Sequence, residues 1–206
     1  MRADLLRKLE EEEPRARLHT LAFMSFNVSI GRVLERGAVA TFTDVVDERL
    51  PHLSRVASQE DFDELHLEFC QELMGNVRTA RGKPPVYGQV QKPLNVFLKI
   101  FVDWASLPNQ EVAGRIRPLL HVPLDSILMG QVKRSFPEQC DKIVRPSYGG
   151  YAPSTQLNLV DANRYLAGQA CFRDICPDRP VLLDVLWHLG RSGGRASSRK
   201  TAGGPP

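Results

Sequence analysis

Three observations predict an all-α fold for this chain. Apolar residues recur at three- and four-residue spacing through most of residues 1–190, and no alternating stretch runs longer than Ala38-Val-Ala-Thr-Phe42. The segments between them carry helix punctuation: Pro, Gly, and Ser or Thr ahead of acid-rich turns. Beyond Gly190 the composition turns abruptly to Gly, Ser, Ala, Arg and Pro. Arg191 to Lys200 holds four positive charges, no acid and no large apolar side chain. The expectation is one compact multi-helix domain over 1–190 and a disordered basic tail over 191–206.

The elements follow in order. Asp4 to Glu13 reads as a short charged helix stopped by Pro14, and Arg17 to Arg36 as a longer one with Gly37 as its C-terminal stop. Thr43 is placed to open a short helix through Arg49, ahead of Pro51. Ser58 opens an amphipathic helix whose acidic first turn suits the macrodipole; Phe62, Leu65, Phe69, Leu73 and Met74 share one face. Arg78 to Pro85 is a stiff basic loop. Gln89 to Ala105 is too apolar for a surface helix and belongs in the core. Its polar groups Lys92, Asn95, Lys99 and Asp103 fall at spacings of three, four and four, which reads either as a cleft-lining stripe or as a solvated edge. Pro108 to Pro118 reads as a connector, Leu124 to Phe136 as a helix, Glu138 to Thr155 as irregular, Leu159 to Ile175 as a helix, and Pro180 to Leu189 as a short final one.

Composition limits the function. The longest apolar candidate, Val96 to Trp104, is broken by Lys99 and Asp103, so no bilayer-spanning run exists and no membrane partner is expected. The first residues run straight into four glutamates and lack the apolar core of a secretory signal, which points to the cytoplasm. Cys70, Cys140, Cys171 and Cys176 lack zinc-ligand spacing and read as free thiols, mostly buried. Neither a metal-ligand pattern, a phosphate loop, a dinucleotide fingerprint nor a nucleophile elbow is present, so no metal or cofactor is expected. The net charge of +3 conceals an asymmetry: residues 1–75 sum to −6, residues 76–145 to +6 and residues 146–206 to +3. Such a polarity suits a polyanion-binding surface, and equally two halves of one fold that attract each other.

The most informative stretch is Gly88-Gln-Val-Gln-Lys92-Pro-Leu-Asn95, followed by an apolar run and then His121-Val-Pro-Leu-Asp125-Ser126. The first part resembles the hairpin-to-helix junction of helix-hairpin-helix DNA glycosylases, in which a glycine turn precedes a helix-opening lysine. Here Val90 stands in place of the turn's second glycine. Val122-Pro-Leu-Asp125 is similar to the later segment of that family whose aspartate opens a helix. The resemblance implies Lys92 as an amine nucleophile on the sugar C1′ and Asp125 as the catalytic carboxylate, acting on a flipped-out base. The run from Gln91 to Lys99, with Pro123-Leu-Asp125 after it, also resembles a family of uncharacterised bacterial proteins. Without either resemblance, Lys92 is an ordinary first-turn lysine and Asp125 an ordinary helix start.

The expected function is therefore a nucleic-acid-binding helical protein, for DNA rather than RNA, with base excision as the activity the resemblance implies. The binding surface would use Arg78, Arg81, Lys83, Asn95, Lys99, Arg115, Arg117, Lys133 and Arg134. Tyr148-Gly-Gly-Tyr151 is a candidate for base stacking. The alternative is a non-enzymatic interaction or assembly domain, self-associating or binding a protein. The two differ in placement: a nucleic-acid surface gathers these cations around Lys92, whereas an assembly domain disperses them or pairs them with Glu60, Asp63, Glu64, Glu68 and Glu72.

Overall fold

A computed structural model describes residues 2–141, 157–186 and 188. Among these residues the fold is helical and compact, with one isolated bridge between Leu34 and Thr79 and no strand. The helices are α1 (Arg2–Ser29), α2 (Ala38–Arg49), α3 (Gln59–Asn76), α4 (Tyr87–Leu98), α5 (Gln110–Ile116), α6 (Ser126–Ser135), the single turn α7 (Pro137–Gln139) and α8 (Ala162–Ile175). The 3-10 turns Leu50–Arg55, Arg117–Leu119, Leu157–Leu159 and Pro180–Asp184 lie between or after them. Tyr148-Gly-Gly-Tyr151 and the tail 191–206 lie outside the described residues. No described helix is long and apolar enough to cross a membrane.

α4 is the centre of the fold. It packs on α1, α3 and α8 and on the Leu157–Leu159 turn, and its Val90, Leu94, Phe97 and Leu98 are buried. The placement of this helix in the core holds as far as Val102, whereas Trp104 and Ala105 at its end are exposed. The boundaries differ: α4 begins at Tyr87, where the Gln89 side chain accepts the Val86 N–H at 3.0 Å, so Lys92 falls in the second turn rather than at the helix start. Gly88 is inside the helix, not in a turn before it. A Cβ there would lie 2.1 Å from the Leu157 carbonyl oxygen, and the Gly88 N–H donates to the Val160 carbonyl at 2.9 Å. The glycine lets the two backbones touch.

From Lys99 to Trp104 the helix widens into a π-helical turn. That turn changes the residue-to-face relation and splits the expected polar stripe. Lys92 and Lys99, seven residues apart, stay on one face. Asn95 lies about 60° off that line and points inward at 1% exposure. Asp103 is turned away and pairs with Arg117 at 3.2 Å and Arg179 at 2.8 Å instead of Lys99.

The remaining differences have local causes. α1 runs unbroken through Pro14, on an arm whose residues 4–17 are exposed, so water can satisfy the carbonyl that proline leaves unpaired. Gly37 does not end that helix; it precedes α2 with φ 95°, a left-handed conformation that favours glycine. Thr43 lies within α2, its hydroxyl donating to the Val39 carbonyl at 2.8 Å, because Ala38, Phe42, Val45 and Val46 all face the core at helical spacing. The Pro108–Pro118 connector contains α5, opened by Asn109, whose side chain accepts the Val112 N–H at 2.9 Å. The expected final helix opens as a 3-10 turn at Pro180–Asp184, and the described residues after it, Val185, Leu186 and His188, are α-helical. α3 matches its expectation: Ser58 and Asp61 form a reciprocal capping box, and Phe62, Leu65, Phe69 and Leu73 are buried.

Candidate functional site

The two faces of α4 carry different chemistry. The inner face meets α3, α8 and the strap 120–125 in a sealed polar network, and one proton assignment satisfies it. The Tyr87 hydroxyl donates to His66 Nδ1 at 3.0 Å, and His66 Nε2–H donates to Asn95 Oδ1 at 2.9 Å. The Asn95 amide donates to the Tyr165 oxygen at 2.7 Å and to Gln91 Oε1 at 3.0 Å. Tyr165 O–H donates to His121 Nδ1 at 2.9 Å, and His121 Nε2–H to Asp63 at 2.7 Å. Burial pushes both histidines down in pKa, His66 strongly and with His121 adding to it, so both are neutral. Burial alone would raise the Asp63 carboxyl, but hydrogen bonds from His121 and Gln59 outweigh it and hold the pKa below the usual value. Burial also raises Tyr165. His66, Asn95, His121 and Tyr165 are at most 2% exposed. These side chains are closed off from solvent, and the network ties α3, α4, α8 and the strap 120–125 together.

The outer face of α4 is open. There Lys92 Nζ donates to Asp125 Oδ2 at 2.9 Å, with the two side chains 17% and 9% exposed. Asp125 is the N-cap of α6, as its position implied: its other oxygen accepts the Ile127 and Leu128 N–H groups at 2.9 and 2.8 Å. Gln91 braces the same junction, donating to the Leu124 carbonyl at 2.9 Å and accepting the Leu124 N–H at 3.2 Å. Two turns further along, Lys99 pairs with Asp184 and lies 4.8 Å from the centroid of the Trp104 ring. These groups line a cavity of about 280 Å³ whose remaining walls are Met24, Ser29, Val96, Ile100 and Pro123.

A second cavity, about 790 Å³, adjoins it. The adjacency is written in the chain: Ser29 lines the first and Arg32 the second, Lys92 the first and Gln89 the second, Asp125 the first and Ser126 the second. Neighbouring residues at the end of α1, along α4 and at the start of α6 thus line both cavities, which are taken together as a groove along α4. The second cavity also takes Arg81 and Lys83 from the loop after α3. Arg32, Arg81 and Lys83 have no acidic partner among the described residues.

The other expected binding residues are placed elsewhere. Asn95 belongs to the sealed network and is not on the groove surface. Arg78 donates to the Gly75 and Val77 carbonyls at the end of α3. Arg115 donates to the Ser54 carbonyl at 2.6 Å, and Arg117 is held by Asp103. Lys133 and Arg134 are exposed at the end of α6, where they face the helix C-terminus. Of the nine expected residues the groove brings together Lys99, Arg81 and Lys83, joined by Lys92 and Asp125. Sequence reasoning missed Arg32 and Ser29, since nothing in a helix end predicts which loop packs beside it. Among the described residues no group of three or more His, Cys, Asp or Glu is placed to hold a metal ion. Comparison with known protein families, characterised proteins and solved structures gives no match to this chain.

Proposed function

We propose that the chain binds nucleic acid along the outer groove of α4. The observation that carries this reading is the cluster of Arg32, Arg81 and Lys83 beside one cavity, with no acid among its lining residues. Three like charges held close repel one another, and a polyanion relieves that repulsion while releasing its counterions. The neighbouring cavity is nearly neutral, because Asp125 and Asp184 offset Lys92 and Lys99. Phosphates therefore favour the Arg32 end, and the apolar end is left for a base. The reading is tested by fluorescence anisotropy of labelled oligonucleotides with the full chain. The variant Arg32→Ala/Arg81→Ala/Lys83→Ala is expected to bind at least tenfold more weakly at 100 mM salt, whereas equal binding by both proteins refutes the groove.

A second reading, base excision, is favoured by one observation. Lys92 Nζ and Asp125 Oδ2 are 2.9 Å apart at the mouth of the apolar cavity, within reach of a single nucleotide. The amine would have to leave Asp125 and lose its proton before attacking C1′. Borohydride reduction in the presence of abasic-site DNA traps the resulting imine as a covalent adduct. A trapped adduct that disappears in Lys92→Ala supports this chemistry; none from the wild-type chain restricts the groove to binding.

A further inference from the structure

Resting on the nucleic-acid reading above, we infer that the groove takes a single strand rather than a duplex, with one unstacked base held against Trp104 in the apolar cavity. Four observations converge on this. Trp104 is 66% exposed and lines the cavity, so its ring face is available to a planar partner. Lys99 lies on the indole at 4.8 Å, which ties the charge to the ring and orients it. The cavity beside the ring, about 280 Å³, is just below the roughly 300–1000 Å³ of small-ligand pockets, which suits one planar ring system. Its walls, Met24, Val96, Ile100 and Pro123, are apolar, and the two ion pairs at its edge offer carboxylate acceptors and ammonium donors to a base edge.

Length argues the same way. Gln89, at the cationic end, and Lys99, at the Trp104 end, are ten residues apart on α4, about 15 Å at 1.5 Å per residue. That span holds a few nucleotides of one strand. A duplex keeps its bases stacked and paired, so to reach Trp104 it would have to extrude one at a cost of a few kcal/mol. A positive track followed by an aromatic platform is the pattern by which proteins hold single strands without reading their sequence.

The test compares the full chain with Trp104→Ala and Trp104→Phe, using anisotropy on a labelled oligothymidylate 12-mer and on the same strand annealed to its complement. Thermal melts confirm that both variants are folded, as expected for a residue so exposed. The wild type is expected to prefer the single strand by at least about tenfold. Trp104→Ala should weaken single-strand binding by about fivefold or more, while Trp104→Phe retains most of it. Equal affinity for both forms, or a Trp104→Ala variant that binds the single strand as the wild type does, overturns this inference and leaves groove binding standing. Absence of binding to either oligonucleotide removes both readings.

Discussion

At the scale of the residue, the buried pair His66 and His121 has the clearest measurable consequence. Both are neutral in the fold because burial lowers their pKa, and both take up protons near pH 6.5 when the chain unfolds. The unfolded state therefore binds more protons between the depressed folded values and 6.5. Stability is full above that pH and falls as pH drops through it, by at most about 1.4 kcal/mol per pH unit for each histidine. Asp63 adds a loss only at more acid pH, below the ordinary carboxylate pKa, because its carboxyl is held lower in the fold than in the unfolded chain. Thermal melts from pH 8 to 5 should show midpoints dropping steeply below 6.5. In His66→Gln the midpoint at pH 8 should be lower, by the equivalent of about 1–3 kcal/mol for the broken network, and the acid slope shallower. An unchanged acid slope in that variant would mean that His66 is not the proton-sensitive group.

At the scale of the element, α4 shows both what the sequence reveals and what it hides. Its apolar content placed it in the core, and the acid-rich turn after Ser58 and the cap at Asp125 were legible because each is a local pattern of a few residues. The direction of Asn95 was hidden. On the regular part of α4 a step of three turns Asn95 about 60° from Lys92, enough to carry it into the core, and the π-helical turn at Lys99–Trp104 then redirects Asp103. Gly88 was noticed for the wrong reason. It was read as a turn glycine, whereas its role is to let α4 touch the backbone at Leu157, a contact 69 positions away that no local pattern encodes. Gly88→Ala places a methyl group 2.1 Å from that carbonyl oxygen, so the two segments must part. The expected cost is about 1–3 kcal/mol or more, read as a lower denaturant midpoint, and a midpoint within error of wild type would contradict the close packing. Pro14 and the short α5 were missed for a related reason: solvent can satisfy one unpaired carbonyl on an exposed arm, and seven residues between prolines carry too little periodicity to be seen.

At the scale of the whole molecule, the charge asymmetry in the chain is only partly converted into a surface. Arg115, Arg117 and Arg78 are used to hold the fold together, and Arg49 of the acidic third pairs with Glu68 and Glu72. Among the described residues several other cations, such as Lys133 and Arg134, also lack an ion pair, but Arg32, Arg81 and Lys83 gather on one cavity, at one end of a groove whose other end is Trp104. Arg32 comes from the acidic third of the chain, so the site is assembled across the boundary that the charge count drew. The salt dependence of oligonucleotide affinity measures directly whether these three cations touch phosphate. Three phosphate contacts on a single strand give a slope of log K against log salt of about −2. Arg32→Ala/Arg81→Ala/Lys83→Ala should therefore reduce the magnitude of the slope by about 2 relative to the full wild-type chain, whatever other charges contribute to both proteins. Equal slopes would show that the groove makes no phosphate contact and would contradict the account.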